Sequence, residues 1–188
     1  SGESVTGKDL IAQLMGVVGC LHVLHEKKVV VLRLMPETFA LYARRWLVSD
    51  LAYAQKEGEL LDPHLPHTRT LALPEVLVAE RDGKLDQLTA SPAMDVFSLG
   101  LLLHKALLGK ELFEDMSPDE IRKELLSERE LKLDLGGLKE HIARYVLVNT
   151  LRKNPQDRFT VKDVLLNMAQ MKGKWAVGRR RQQPVHDE

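Results

Sequence analysis

The stretch from Met94 to Leu108 constrains this chain more than any other. Met94, Val96, Phe97, Leu99, Leu101, Leu102, Leu103, Ala106, Leu107 and Leu108 place apolar side chains around nearly the whole circumference of a helix. A helix that is apolar all round belongs at the centre of a protein or within a bilayer. This one is too short and too charged at its ends to span the roughly 20 residues a bilayer demands. It reads as the central pillar of a globular domain, closed at Gly109 as a C-cap.

The flanking segments supply helices to surround such a pillar. From Lys8 to Glu26, Leu10, Ile11, Leu14, Met15, Val17, Val18, Leu21, Val23 and Leu24 recur at three- and four-residue steps, the mark of a helix with a wide buried face. Gly16 and Gly19 each weaken it by roughly 1 kcal/mol relative to alanine, so close packing is the expected reason for both. Short strands are expected in Lys28–Leu34 and Trp46–Leu51, with Phe39–Leu41 between them and turns at Pro36 and near Arg44. Gly58, Pro63, Pro66 and scattered histidines make Ala52–Leu73 an irregular loop, of a length usually tied to function or mobility. A short helix is expected over Pro74–Val78, followed by a polar connection through Gly83 to Ser91. Ser117-Pro118-Asp119-Glu120 is a full helix-start signal, with a capping serine, a first-turn proline and a glutamate that closes a capping box. That helix runs to about Ser127, another spans Leu138–Leu151, and Thr160 with Asp163 opens a last one over Val161–Met171.

The expected architecture is mainly α, in the α+β family: a helical bundle around one buried helix, with a few short strands. With 188 residues, one domain is the natural count. Residues 1–7 read as a disordered or tag-derived start, 8–174 as the folded lobe, and 175–188 as a polar, fraying tail. Formal net charge is +0, so no global field draws the chain to nucleic acid or to an anionic membrane. One cysteine, Cys20, leaves no intrachain disulfide and no cysteine-rich metal site, and fits a reducing intracellular setting, cytoplasmic or nuclear.

Five short motifs succeed one another along the chain. They are Val31-Leu32-Arg33-Leu34-Met35-Pro36-Glu37-Thr38, Asp50-Leu51-Ala52, Leu73-Pro74-Glu75, Asp95-Val96-Phe97-Ser98-Leu99-Gly100 and Asn154-Pro155-Gln156-Asp157-Arg158. In this order they resemble the landmarks of the C-terminal lobe of the protein kinase family, over roughly Lys8 to Met171. There the catalytic loop reads His-Arg-Asp-Leu-Lys-x-x-Asn, with Asp-Phe-Gly, Ala-Pro-Glu, Asp-x-Trp-Ser-x-Gly and Pro-x-x-Arg after it. The resemblance implies a structural ion pair between Glu75 and Arg158. It also implies that Asp95 braces the backbone of the loop.

Measured against that family, the loop has lost its chemistry. The catalytic aspartate corresponds to Arg33, which cannot act as a base at any relevant pH. The phosphate-contacting lysine corresponds to Met35 and the metal-binding asparagine to Thr38, whose hydroxyl is a poorer magnesium ligand. Leu32 replaces the arginine that anchors an activation-segment phosphate. Of the metal ligands only Asp50 remains, a vestige. Val31 and Leu51 stand for the family's histidine and phenylalanine and keep their column apolar. No Gly-x-Gly-x-x-Gly loop or strand lysine precedes the first helix, so this piece alone is not expected to enclose ATP. Neither a catalytic residue nor a cofactor is expected.

The implied function is a non-enzymatic pseudokinase lobe: an interaction, scaffold or allosteric module for protein partners, a kinase or signalling complex among them, with no nucleic acid and no membrane. Candidate docking surfaces are Asp115–Leu131, Leu138–Leu151 and Ala52–Leu73. The competing reading is a fragment of a divergent kinase-fold phosphotransferase that needs an N-terminal lobe. His64 and His67 beside Asp62 lie among prolines and suit a loop better than a metal site. Cys20 suits the core better than a nucleophile's role. Arg179-Arg180-Arg181 suits a solvated tail. Thr68, Thr70 and Ser91 could accept phosphate, but without an arginine at Leu32 an ordered response is not expected.

Overall fold

The structure is a computed structural model that describes residues 7–43, 45–62 and 73–180. Among the described residues six helices carry it: α1 (Gly7–Glu26), α2 (Pro74–Arg81), α3 (Pro92–Leu108), α4 (Pro118–Leu126), α5 (His141–Thr150) and α6 (Val161–Arg180). Four short strands, β1 (Val29–Val30), β2 (Phe39–Tyr42), β3 (Arg45–Val48) and β4 (Gln55–Lys56), form two antiparallel pairs, β1 with β4 and β2 with β3. The mainly α class expected from the sequence is the class observed.

Helix α3 divides the interior. Ser91 caps its start by accepting the Ala93 N–H, and Gly109 ends it in the left-handed conformation at φ 76°. On one side Val96, Leu99 and Leu103 meet Val18 and Leu21 of α1, Val146 and Leu147 of α5, and Val164 and Met168 of α6. On the other, Met94 and Phe97 meet Val76 of α2, Ile121 and Leu125 of α4, Phe113 and Leu151. Burial is complete from Met94 to Gly100; beyond that, Leu101 and Leu102 are only half-buried and border a cavity. The central helix is therefore enclosed at its first half and open on one side at its second.

Several expected boundaries shift, each for a local reason. The strand expected over Lys28–Leu34 shrinks to Val29–Val30, because Asp95 takes the N–H groups of Val31 and Leu32 and Leu32 turns the chain at φ 65°. The irregular loop after Ala52 contains β4, paired to β1 through Val29 with Lys56 and Val30 with Gln55, and Leu60 bridges to Thr89. Helix α2 continues to Arg81, and α5 starts only at His141, capped by the Glu140 carboxylate. The last helix runs on through Arg180, past both Met171 and the boundary placed at residue 175. Residues 1–6, His64, His67, Thr68, Thr70 and 181–188 lie outside the described residues.

Two glycines of α1 differ. A Cβ on Gly16 would lie 2.4 Å from Cδ1 of Trp46, so α1 and β3 approach closely there. Gly19 has open space around the same position, which removes the packing reason expected for it. Cys20 is half-buried beside this contact and donates its S–H to the Trp46 carbonyl; burial pushes its thiol pKa up.

Candidate functional site

The loop 31–38 leaves β1 and crosses the start of α3. Asp95 is fully buried in the first turn of that helix and faces the loop. Its Oδ2 accepts the Val31 N–H at 2.8 Å, and its Oδ1 accepts the Leu32 N–H at 2.8 Å. Leu32 itself is buried and left-handed, a conformation that costs an ordinary L-residue about 1–2 kcal/mol. The two charge-assisted bonds from Asp95 offset that cost and dictate where the next residue, Arg33, leaves the backbone.

Past Arg33 the loop closes on itself. The Thr38 hydroxyl, buried at 2% exposure, donates to the Arg33 carbonyl at 2.9 Å and accepts the Met35 N–H at 3.0 Å. The Ser49 N–H donates to the Thr38 carbonyl at 2.8 Å, which joins the loop to the end of β3. Asp50 comes next. Its Oδ2 lies 3.6 Å from the Arg33 guanidinium, and its Oδ1 accepts the Ala52 N–H at 3.0 Å. The same guanidinium sits over the Tyr53 ring, 5.4 Å from its centroid. Both Arg33 and Asp50 are more than a third exposed, so this is an open site at the molecular surface.

The structure brings Val31, Leu32, Arg33, Thr38, Asp50 and Asp95 together around this loop. Met35 points elsewhere: with Leu34, Leu101, Leu102 and Phe113 it lines the cavity beside α3, of about 200 Å³. Leu51, expected to extend an apolar column, is instead exposed. Glu75 and Arg158 form a separate cluster below. Two parallel bonds of 2.7 Å join the guanidinium to both carboxylate oxygens. Arg158 donates further to the carbonyls of Arg152, Ala93 and Lys153 and stacks over Phe97.

Sequence reasoning missed His25. Its Nε2 lies 2.8 Å from Asp95 Oδ2, making the aspartate a three-way junction between α1, the loop and α3. The pair is 70 residues apart, and the only hint was a histidine in the last turn of a helix that leads into the loop. Ser91 is occupied as the cap of α3.

The resemblance implies divalent metal held by Asp50 and the position of Thr38, and the side chains present do not fit it. A divalent ion needs several free oxygens at about 2.0–2.6 Å. Here the Thr38 hydroxyl is bonded twice within its own loop, Met35 offers a thioether facing away, and a fixed positive charge already faces Asp50. Among the described residues, no three His, Cys, Asp or Glu side chains gather to hold a metal.

A mainly α bundle around a buried helix, with a braced loop at that helix's start, is consistent with a protein-kinase-like C-lobe. Comparison with curated proteins points the same way. The chain is similar to the human serine/threonine-protein kinase ULK3, 24% identical over 150 residues that cover 78% of this chain and 30% of that protein. It thus spans under a third of the length of that relative. No family model matches the chain. No described helix is long and apolar enough to cross a membrane.

Proposed function

We propose that this chain is a kinase-like lobe without phosphotransferase activity, working as an interaction, scaffold or allosteric module for protein partners, a kinase or signalling complex among them. The observation that carries the reading is the guanidinium of Arg33, which extends to 3.6 Å from Asp50 where the resemblance calls for a base. Phosphoryl transfer depends on positioned charge around the transferred group, and a group that accepts a proton is part of that. Arginine accepts none. The loss of lysine and asparagine at Met35 and Thr38 adds to it. Meanwhile Asp95 and the Glu75–Arg158 pair still hold the loop and helices together, so the lobe is kept as a packed object without that chemistry.

The reading places the protein inside the cell, away from nucleic acid and membrane, in keeping with its balanced charge. Magnesium-ATP is expected to leave the melting temperature of the purified chain unchanged. A rise of several degrees that disappears in Asp50→Ala would overturn the proposal. A second reading, a fragment of a divergent phosphotransferase, draws on the similarity to a kinase of which the chain spans only 30%. Turnover of labelled ATP by the full-length protein, abolished by Asp50→Asn, would establish that reading in place of the first.

A further inference from the structure

We infer that Arg33 is a tethered cation for Asp50: its guanidinium holds the place beside that carboxylate which a diffusible divalent ion would otherwise contest, and so clamps the loop 31–38 to the segment 50–53 without any metal. The inference rests on the inactive-lobe reading and goes further, since it names the group that occupies the site and the effect of that occupation on ions and on the neighbouring backbone.

Both ends of the clamp are fixed by the backbone. At Arg33, the N–H donates to the Val31 carbonyl at 2.8 Å and the carbonyl accepts the Thr38 hydroxyl at 2.9 Å, so the side chain starts from a pinned position. At Asp50, one oxygen is turned by the Ala52 N–H and the other faces Nη1. Tyr53 then supports the guanidinium from its ring face at 5.4 Å. The pinned backbone and the aromatic face together limit where the guanidinium can go. Arginine stays protonated throughout the physiological range, so the positive charge beside Asp50 is not switched by pH there.

The consequence for ions is electrostatic. Each Asp50 oxygen already has a partner, and a doubly charged ion entering there would meet a fixed positive charge at contact distance. The pair is too exposed to add much to overall stability. Its effect is local: it decides what can approach the carboxylate and how firmly the segment after Asp50 is held.

The test uses the full chain with manganese(II) as the probe, its binding read by loss of the free-ion electron paramagnetic resonance signal. Wild type is expected to show no saturable binding at Asp50. Arg33→Asp and, with a longer arm, Arg33→Glu each place a second carboxylate beside the first and are expected to bind manganese at least tenfold tighter, a gain abolished by adding Asp50→Asn. In parallel, Arg33→Gln removes the charge alone, and exchange of the Ala52 and Ala54 amides, bonded to Asp50 Oδ1 and the Leu51 carbonyl, is expected to quicken at least several-fold without metal. Two folded carboxylate variants that bind no better than wild type, unchanged exchange in Arg33→Gln, or Asp50-dependent manganese binding by wild type would each overturn the inference. None of these results bears on ATP turnover by wild type, so the inactive-lobe reading stands or falls separately.

Discussion

At the scale of single residues, two buried acids hold this lobe together in different ways. Glu75 and Arg158 form a bidentate pair whose side chains are 9% and 0% exposed. Removing one partner of such a pair strands the other's charge, at about 3–5 kcal/mol. Arg158→Ala is therefore expected to lower unfolding free energy by about that amount in urea titration, and a loss under about 1 kcal/mol would mean the pair is effectively solvated. Asp95 acts on backbone instead of on a side-chain cation. Asp95→Asn keeps the shape but turns one acceptor into a donor that faces a backbone N–H, leaving a buried group unsatisfied at about 1–3 kcal/mol. The expected signature is faster amide exchange at Val31 and Leu32 ahead of the rest of the domain. The position of these acids within recurring motifs made them legible in sequence. The left-handed Leu32 was not, because nothing in a leucine announces positive φ; that conformation is imposed from Asp95, 63 residues away. His25 was hidden by a similar distance in sequence.

At the scale of elements, three helical glycines separate close packing from open surface. A Cβ at Gly100 would stand 2.8 Å from Thr150 Oγ1 and from Leu151 Cδ2, at the crossing of α3 and α5. Alanine gains about 1 kcal/mol of helix propensity but overpacks a tight contact at about 1–3 kcal/mol, so Gly100→Ala is expected to destabilise. Gly16→Ala meets the Trp46 ring and is expected to do the same, whereas Gly19→Ala meets nothing and is expected to stabilise by about 0.5–1 kcal/mol. Melting temperatures of the three variants check the order, and a stabilising Gly16→Ala would show that α1 and β3 are not in contact. The same contrast between local and distant causes separates the legible elements from the rest. Helix α3 announced itself by uniform apolarity, and α4 by Ser117 and Glu120, whose reciprocal bonds form a capping box. These signals are local. The pairing of β1 with β4 is not, since it joins residues more than 20 positions apart in ladders only two residues long. Nor could periodicity tell that Gly16 packs and Gly19 does not, because both sit in one helix pattern and only the arrival of Trp46 distinguishes them.

At the scale of the whole molecule, 27 basic and 27 acidic side chains leave no net charge, so mild acidification does not act chiefly through global repulsion. Its effect is concentrated at groups the fold has buried. His104 lies in the second half of α3 at 1% exposure. Burial pushes its pKa below the ordinary value; a hydrogen bond to the Lys110 carbonyl partly opposes this, the Lys110 ammonium reinforces it, and Asp134 opposes it again. The folded chain thus favours neutral His104, while the unfolded chain protonates it freely near about pH 6.5. Below that value the unfolded state binds more protons, so stability falls as pH falls. His104→Asn removes the titration and keeps an amide donor at the position of Nδ1, 3.0 Å from the Lys110 carbonyl. Between about pH 7.5 and 5.5 the wild-type melting temperature is expected to drop more steeply than that of His104→Asn, because only the wild type loses stability through this site. Parallel curves would mean that the interior beside α3 admits the imidazolium at no cost.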